Sequence, residues 1–309
     1  MMAEIMVGLA LANVWAAAAT LLVLAARGPL RRRFGARTAY LLWTAPLGAA
    51  FASLIPARTI QAGPGAHLEA LPQFGPHLPP EWLPALWLIG AGVALAAMAW
   101  GQIAFLRRAA RGEAGPAIVG VVAPRLVIPA DYQARFTADE RRLIRTHERV
   151  HIERGDPRVN AFAAALQCLN WFNPLVHVAA HYMRLDQELA CDAVVAARLP
   201  GERRRYAEAL LKTQLSQATP PLGCSWPARG RHPLEVRLAA LALPAPTYDQ
   251  LRLGSTIVTL AAIAAGLAVW AAKPPKLEAP APTAYRLTAP IMLLLDIQPP
   301  DRVAAPRHR

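Results

Sequence analysis

Four stretches of this chain run for a membrane-spanning length without one Asp, Glu, Lys or Arg: Ile5 to Ala26, Thr38 to Ala57, Trp82 to Leu106 and Leu253 to Ala272. A helix needs about 20 apolar residues to cross a hydrocarbon core roughly 30 Å thick, and these are 22, 20, 25 and 20 residues long. Such a chain does not fold as one water-soluble globule, and with 55% hydrophobic and only 17% charged residues it lacks the polar surface to do so. Glu4 precedes the first stretch and the arginines follow it. A cleaved signal peptide has the opposite order, so this segment reads as a retained helix with its N-terminus outside.

The formal net charge of +13 allows two explanations, a nucleic-acid-binding face or an orientation signal in a membrane protein. The positions of the charges decide. Arg27 to Arg37 holds five arginines, Arg58 to Glu81 holds one arginine against two glutamates, and Arg107 to Arg252 holds 21 Lys and Arg. Alternation of this kind places the first and third segments in the cytoplasm, and together they carry 26 of the 33 cations and +12 of the net charge. No nucleic-acid-reading motif accompanies them, so direct nucleic-acid binding is not expected. The expectation is a mainly α, polytopic protein of the bacterial cytoplasmic (inner) membrane with both termini outside and membrane lipid as a partner. Residues 1–106 form a three-span membrane region, 107–252 a cytoplasmic α+β domain, 253–272 the fourth span, and 273–309 a Pro/Ala-rich extracytoplasmic tail. Cys168, Cys191 and Cys224 are odd in number and lack CxxC spacing, as free thiols in a reducing compartment would be.

Within the cytoplasmic segment, Ala117 to Val122 and Arg125 to Ile128 read as a strand pair around Ala123-Pro124. Thr137 with Glu140 three residues on is a capping box that starts a helix, and Gly155 ends it. Asp156-Pro157 restarts a helix with Asp as the cap. Inside the first helix lies His147-Glu148-Arg149-Val150-His151, the HExxH pattern. Positions i and i+4 share a helical face, so both imidazoles can bind one metal, with Glu148 beside them as the base. A catalytic zinc needs a third protein ligand. Glu188 and Asp192 are again i and i+4, the first suited as that ligand and the second as hydrogen-bond partner of a liganding imidazole; salt bridges to the many arginines are the plainer use of this pair.

Val159 to Met183 is also uncharged, but a straight crossing of that length, about 37 Å, would put His151 and Glu188 on opposite faces of the membrane. Two helices broken near Asn173-Pro174 keep them together. His177 and His181 repeat the i, i+4 spacing. They read as core or cleft residues, with an oxyanion or substrate contact as the functional alternative.

The succession Pro124-Arg125-Leu126-Val127-Ile128-Pro129, HExxH, Arg154-Gly155-Asp156, Asn170-Trp171-Phe172-Asn173-Pro174-Leu175-Val176 and Glu188-Leu189-Ala190-Cys191-Asp192 resembles the BlaR/MecR family of regulatory membrane metallopeptidases. The resemblance implies a gluzincin-type zinc metallopeptidase domain between spans three and four. Zn2+ would sit on His147, His151 and Glu188, with Glu148 as general base and Asp192 as outer partner. It also implies a protein substrate, a BlaI/MecI-like winged-helix repressor, cut in signal transduction. The family's sensors carry a penicillin-binding domain after the fourth span. Only 37 residues follow Ala272 here and no Ser-x-x-Lys occurs, so the signal is expected through the outer loop, the tail, a sensor partner protein or a homodimer. Membrane-protein quality control and a non-catalytic scaffold with structural zinc are the alternative readings. The linker Ala218 to Pro233 is the expected site of self-cleavage.

Overall fold

The computed structural model describes residues 2–61, 80, 82–214 and 232–278. Two units result. The smaller takes in 57–73 and 274–309, and its described part is β1 (Thr59–Gln61) paired in parallel with β4 (Lys276–Glu278). All that follows concerns the larger unit. The outer loop beyond Gln61, the expected self-cleavage linker up to residue 231, Cys224 and the tail beyond Glu278 lie outside the described residues.

Among the described residues, three helices are long and apolar enough to cross a bilayer: α1 (Met2–Phe34), α4 (Leu83–Ala110) and α11 (Tyr248–Ala271). Their apolar side chains face outward, as with Leu22 at 71% and Trp100 at 72% exposure, which suits lipid rather than water. At 1.5 Å per residue α1 is about 50 Å long, so its last turns, with Arg27 and Arg31–Arg33, extend past a hydrocarbon core.

The stretch expected as the second span is divided between two helices, so three of the four expected spans are long continuous helices. It forms α2 (Ala36–Leu41) and α3 (Thr44–Leu54). A proline ring clashes with the carbonyl four residues before it, and four before Pro46 is Leu42, where the helix breaks. Hydropathy does not register this. The α3 segment still lies beside spans, since Ala49 and Ala52 pack with Val269 of α11 and Trp15 of α1.

After α4 comes a short antiparallel hairpin, β2 (Ala117–Val119) and β3 (Arg125–Val127), with Ile118 opposite Leu126. The strands are shorter than their β-branched runs because Gly120 turns the chain at φ 100°, where a Cβ would meet the Ala123 carbonyl oxygen at 2.6 Å. A single turn, α5 (Tyr132–Arg135), leads to α6 (Ala138–Arg154). The capping box is present: the Glu140 N–H donates to Thr137 Oγ1 at 3.3 Å and the Thr137 N–H to Glu140 Oε2 at 2.7 Å. Gly155, at φ 72°, ends α6.

The uncharged segment folds as a hairpin of α7 (Asp156–Leu169) and α8 (Pro174–Arg198), broken at 170–173. The Asn173 carboxamide oxygen caps α8 by accepting the Leu175 N–H at 3.0 Å. The tip of the hairpin packs on spans. Asn13 of α1 donates to Asn170 Oδ1 at 2.7 Å and Asn173 donates to Asn13 Oδ1 at 3.1 Å. Trp87 of α4 donates to the Leu169 carbonyl at 2.8 Å, and the Trp171 indole lies so close to Gly90 that a Cβ there would come within 2.1 Å of it. Two further helices, α9 (Arg203–Gln214) and α10 (Pro233–Ala242), close over the other end of α8. There Leu143 and Val150 of α6, Cys191 and Val195 of α8, Tyr206 and Leu210 of α9 and Leu241 of α10 form one buried core.

Candidate metal centre

The buried stripe of α6 is Leu143, Ile144, His147, Val150 and His151. Core packing therefore turns both histidines inward together, against the buried face of α8. Donor atoms of three residues converge there, the carboxylate turning one oxygen to each imidazole. His147 Nε2 and His151 Nε2 are 3.1 Å apart, His147 Nε2 is 3.4 Å from Glu188 Oε2, and His151 Nε2 is 3.4 Å from Glu188 Oε1. A tetrahedral metal with bonds of about 2.0–2.1 Å spaces its ligand atoms about 3.3 Å apart, so this triangle fits one ion.

The outer ring nitrogens are held in place. His151 Nδ1 lies 2.7 Å from Asp156 Oδ2 and donates its proton there, which leaves the Nε2 lone pair free. The Tyr206 hydroxyl donates to Asp192 Oδ1 at 2.6 Å, so its oxygen accepts from His147 Nδ1 at 2.7 Å. Asp192 in turn is gripped by Arg237, whose Nε and Nη2 donate to it at 2.8 Å each, while Nη1 lies 3.0 Å from Glu188 Oε2.

The electrostatics follow from this packing. Burial disfavours charge on His147, but Cys191 and Glu188 outweigh it and hold the imidazole at about 10. His151 is raised well above its ordinary value, with Glu188 and Asp156 overcoming burial. Burial would raise Glu188, yet Arg237 and the two imidazoles hold it well below the usual carboxylate range. The carboxylates thus draw positive charge to the two Nε2 atoms, and a divalent cation supplies that charge in place of protons. Glu148 behaves differently: burial raises its carboxyl despite both histidines, and no hydrogen bond or salt bridge to a described residue holds it.

Cys191 also lies near, its sulfur forming with His147 and His151 a second donor group within 4.8 Å. Two observations favour Glu188 as the third donor. The Cys191 sulfur is 3.4 Å from His147 Nδ1, the nitrogen committed to Tyr206, and donates to the His147 carbonyl. Cys191 is also fully buried in the core, whereas the Glu188 side chain is 33% exposed and leaves an approach open.

Residues 110–241 match the family model described as BlaR1 peptidase M56. This stretch of the chain is an M56 peptidase domain. The family is one of metallopeptidases. "Regulatory protein BlaR1" of Bacillus licheniformis is 34% identical over 109 residues, covering 35% of this chain and 18% of the relative. "Methicillin resistance mecR1 protein" of Staphylococcus aureus is 29% identical over 101 residues, covering 32% and 17%. The chain therefore spans less than a fifth of the length of these curated relatives. No solved structure matches the chain.

Within the M56 domain the sequence-derived residues fare differently. His147, Glu148, His151 and Glu188 come together. Asp192 meets His147 chiefly through Tyr206, the direct separation being 3.5 Å, and the arginine pairing that was its plainer use is also present. His177 and His181 stand eleven and seven residues before Glu188 on α8, about 16 and 10 Å along the helix. His177 has its ring nitrogens inside the hairpin, 3.2 Å from Gln167 Nε2 and 3.1 Å from the Trp171 carbonyl, contacts that suit the core-or-cleft reading better than the oxyanion alternative. Asp156 is likewise reassigned: Gly155 takes the cap position, and the carboxylate makes no cap hydrogen bond but goes to His151.

The domain is also tied to the membrane helices just before Glu188. Asp186 is fully buried and accepts from Arg27 Nε and Nη2 at 2.7 Å each and from Trp43 Nε1 at 2.9 Å. Gln187 donates to the Tyr40 hydroxyl at 3.0 Å, and its carbonyl accepts from Arg154 at 3.2 Å.

Proposed function

We propose that this chain is an integral membrane, zinc-dependent endopeptidase of gluzincin type that transmits a signal by cutting a cytoplasmic transcriptional repressor. The convergence of His147 Nε2, His151 Nε2 and Glu188 within 3.1–3.4 Å, with an unpartnered Glu148 alongside, carries this reading. Zinc bound there supplies Lewis acidity and activation of water at neutral pH. The residues do the rest. Asp156 and Tyr206 hold the two imidazoles with their Nε2 lone pairs inward, and Arg237 fixes Glu188 and Asp192. The Glu148 carboxylate, raised above its ordinary value by burial, takes a proton from the attacking water and returns it to the departing amide nitrogen as the C–N bond breaks.

The membrane placement belongs to the same proposal. Segments 5–26, 38–57, 82–106 and 253–272 lie in the inner membrane, the first, third and fourth with continuous helix and the second broken at Leu42-Trp43. Residues 107–252 face the cytoplasm, and both termini lie outside. The +12 excess on two alternating segments supports this orientation. The similarity to proteins named as regulators supports a BlaI/MecI-like substrate over general membrane-protein degradation. Quantitative proteomics of wild-type against Glu148→Ala cells tests it: one DNA-binding protein should accumulate in the mutant. Accumulation of many unrelated membrane proteins would point to quality control, and an unchanged proteome to a scaffold.

A further inference from the structure

A cavity of about 1500 Å3 opens among α1, α2–α3, α7, α8 and the first turns of α4 and α11, larger than the roughly 300–1,000 Å3 of small-molecule sites. Its walls are apolar, with Ala16, Leu47, Ala50, Phe162, Leu166 and Val176 among them. Along α3 alone, from Thr44 to Leu54, they extend about 15 Å at 1.5 Å per residue. The polar groups at its deep end, Asn13, Asn170 and Asn173, satisfy one another.

The opposite end is cationic. Arg37, Arg158 and Arg252 line the cavity there, all exposed. Gly254 packs against Phe34 and Thr38, so the first turns of α11 lie against the start of α2. Arg158 is in the first turn of α7, just past the end of α6, where the Arg154 guanidinium sits 4.8 Å over the Tyr40 ring. None of the three guanidiniums makes a hydrogen bond or salt bridge with a described residue, in contrast to Arg27, Arg154 and Arg237. An open apolar space of this size forfeits dispersion contacts unless something apolar fills it. Three unpaired arginines at the interfacial end of a gap between membrane helices suit a phosphate.

We propose that this cavity binds one anionic phospholipid, its phosphate at Arg37, Arg158 and Arg252 and its acyl chains along α1, α3, α7 and α8. The inference rests on the membrane placement above. It has a consequence for the metal centre, because Tyr40 and Trp43 also line the cavity and are the side chains that hold Gln187 and Asp186 next to Glu188. The lipid would pack on the props of the third ligand.

The test is native mass spectrometry of the full chain taken from nanodiscs of phosphatidylglycerol or of phosphatidylcholine, with zinc content and proteolysis measured in parallel. Wild type should keep one phosphatidylglycerol and no phosphatidylcholine. Arg37→Gln/Arg158→Gln/Arg252→Gln should lower that retention at least tenfold with zinc retained. Ala50→Trp, which fills the cavity and leaves the arginines in place, should also lower it and guards against misfolding of the triple variant. Equal retention of the two lipids, or full retention by either variant, overturns the proposal. Lost proteolysis with lipid retained would instead count against the peptidase reading.

Discussion

Asp156 gives the sharpest separation between a local and a tertiary role. As a helix cap its loss would cost about 1 kcal/mol of stability and leave the metal centre untouched. Placed 2.7 Å from His151 Nδ1 and buried to 2% exposure, it instead accepts a charge-assisted hydrogen bond that fixes the ring. Bonds to charged groups contribute about 1.5–3 kcal/mol, or roughly 10–100-fold in an equilibrium, the same range found when outer partners of metal ligands are removed. Asp156→Ala should therefore weaken zinc binding about 10–100-fold, read by competition with a chelating indicator on the purified full-length protein. Asp156→Asn keeps an acceptor oxygen and loses only charge, so it should fall between. An Asp156→Ala protein with a lowered melting temperature and zinc affinity within about twofold of wild type would refute the assignment and restore the cap.

Two other perturbations probe the supports of the site. Asp186→Asn leaves the buried Arg27 without its counter-charge and should destabilise the fold by about 3–5 kcal/mol, whereas Arg27→Met/Asp186→Leu should recover most of that loss; thermal melts that simply add the single-substitution costs would show that the pair does not couple. Zinc uptake should be strongly pH-dependent. His147 is held at about 10 and His151 is raised well above its ordinary value, with Cys191, Glu188 and Asp156 outweighing burial, so the metal-free pair holds protons more tightly than free imidazoles do. Binding at pH 7 should release protons, and affinity should fall as pH falls. Calorimetry in buffers of different ionisation heat measures the number, and a release near zero would contradict the charge assignment.

What could be read from the sequence was what is local. Thr137, Glu140 and Gly155 bound α6 because caps are satisfied within one turn. The paired i, i+4 spacings of His147 with His151 and of Glu188 with Asp192 needed only helical geometry, and Asn173-Pro174 marked the hairpin because proline suits a first helical turn. Tyr206 and Arg237 were not legible in this way. Each comes from a separate helix brought to the site by the core that Tyr206 of α9 and Leu241 of α10 share with Val150 and Cys191, although Arg237, one turn before buried Leu241 on an apolar stripe, was a charge in a place that needs a partner. Asp156 was misread because Asp-Pro at a helix start has two chemical uses, and only the fold of Gly155 chooses. The break at Leu42 escaped because an uncharged run was weighed by length and not by where Pro46 falls.

In the proposed peptidase one metal sits on His147, His151 and Glu188, not on the neighbouring Cys191. Zinc X-ray absorption of the purified full-length protein tests it directly. The account predicts one zinc per chain with only nitrogen and oxygen neighbours at about 2.0–2.1 Å, whereas a sulfur neighbour at about 2.3 Å would contradict it.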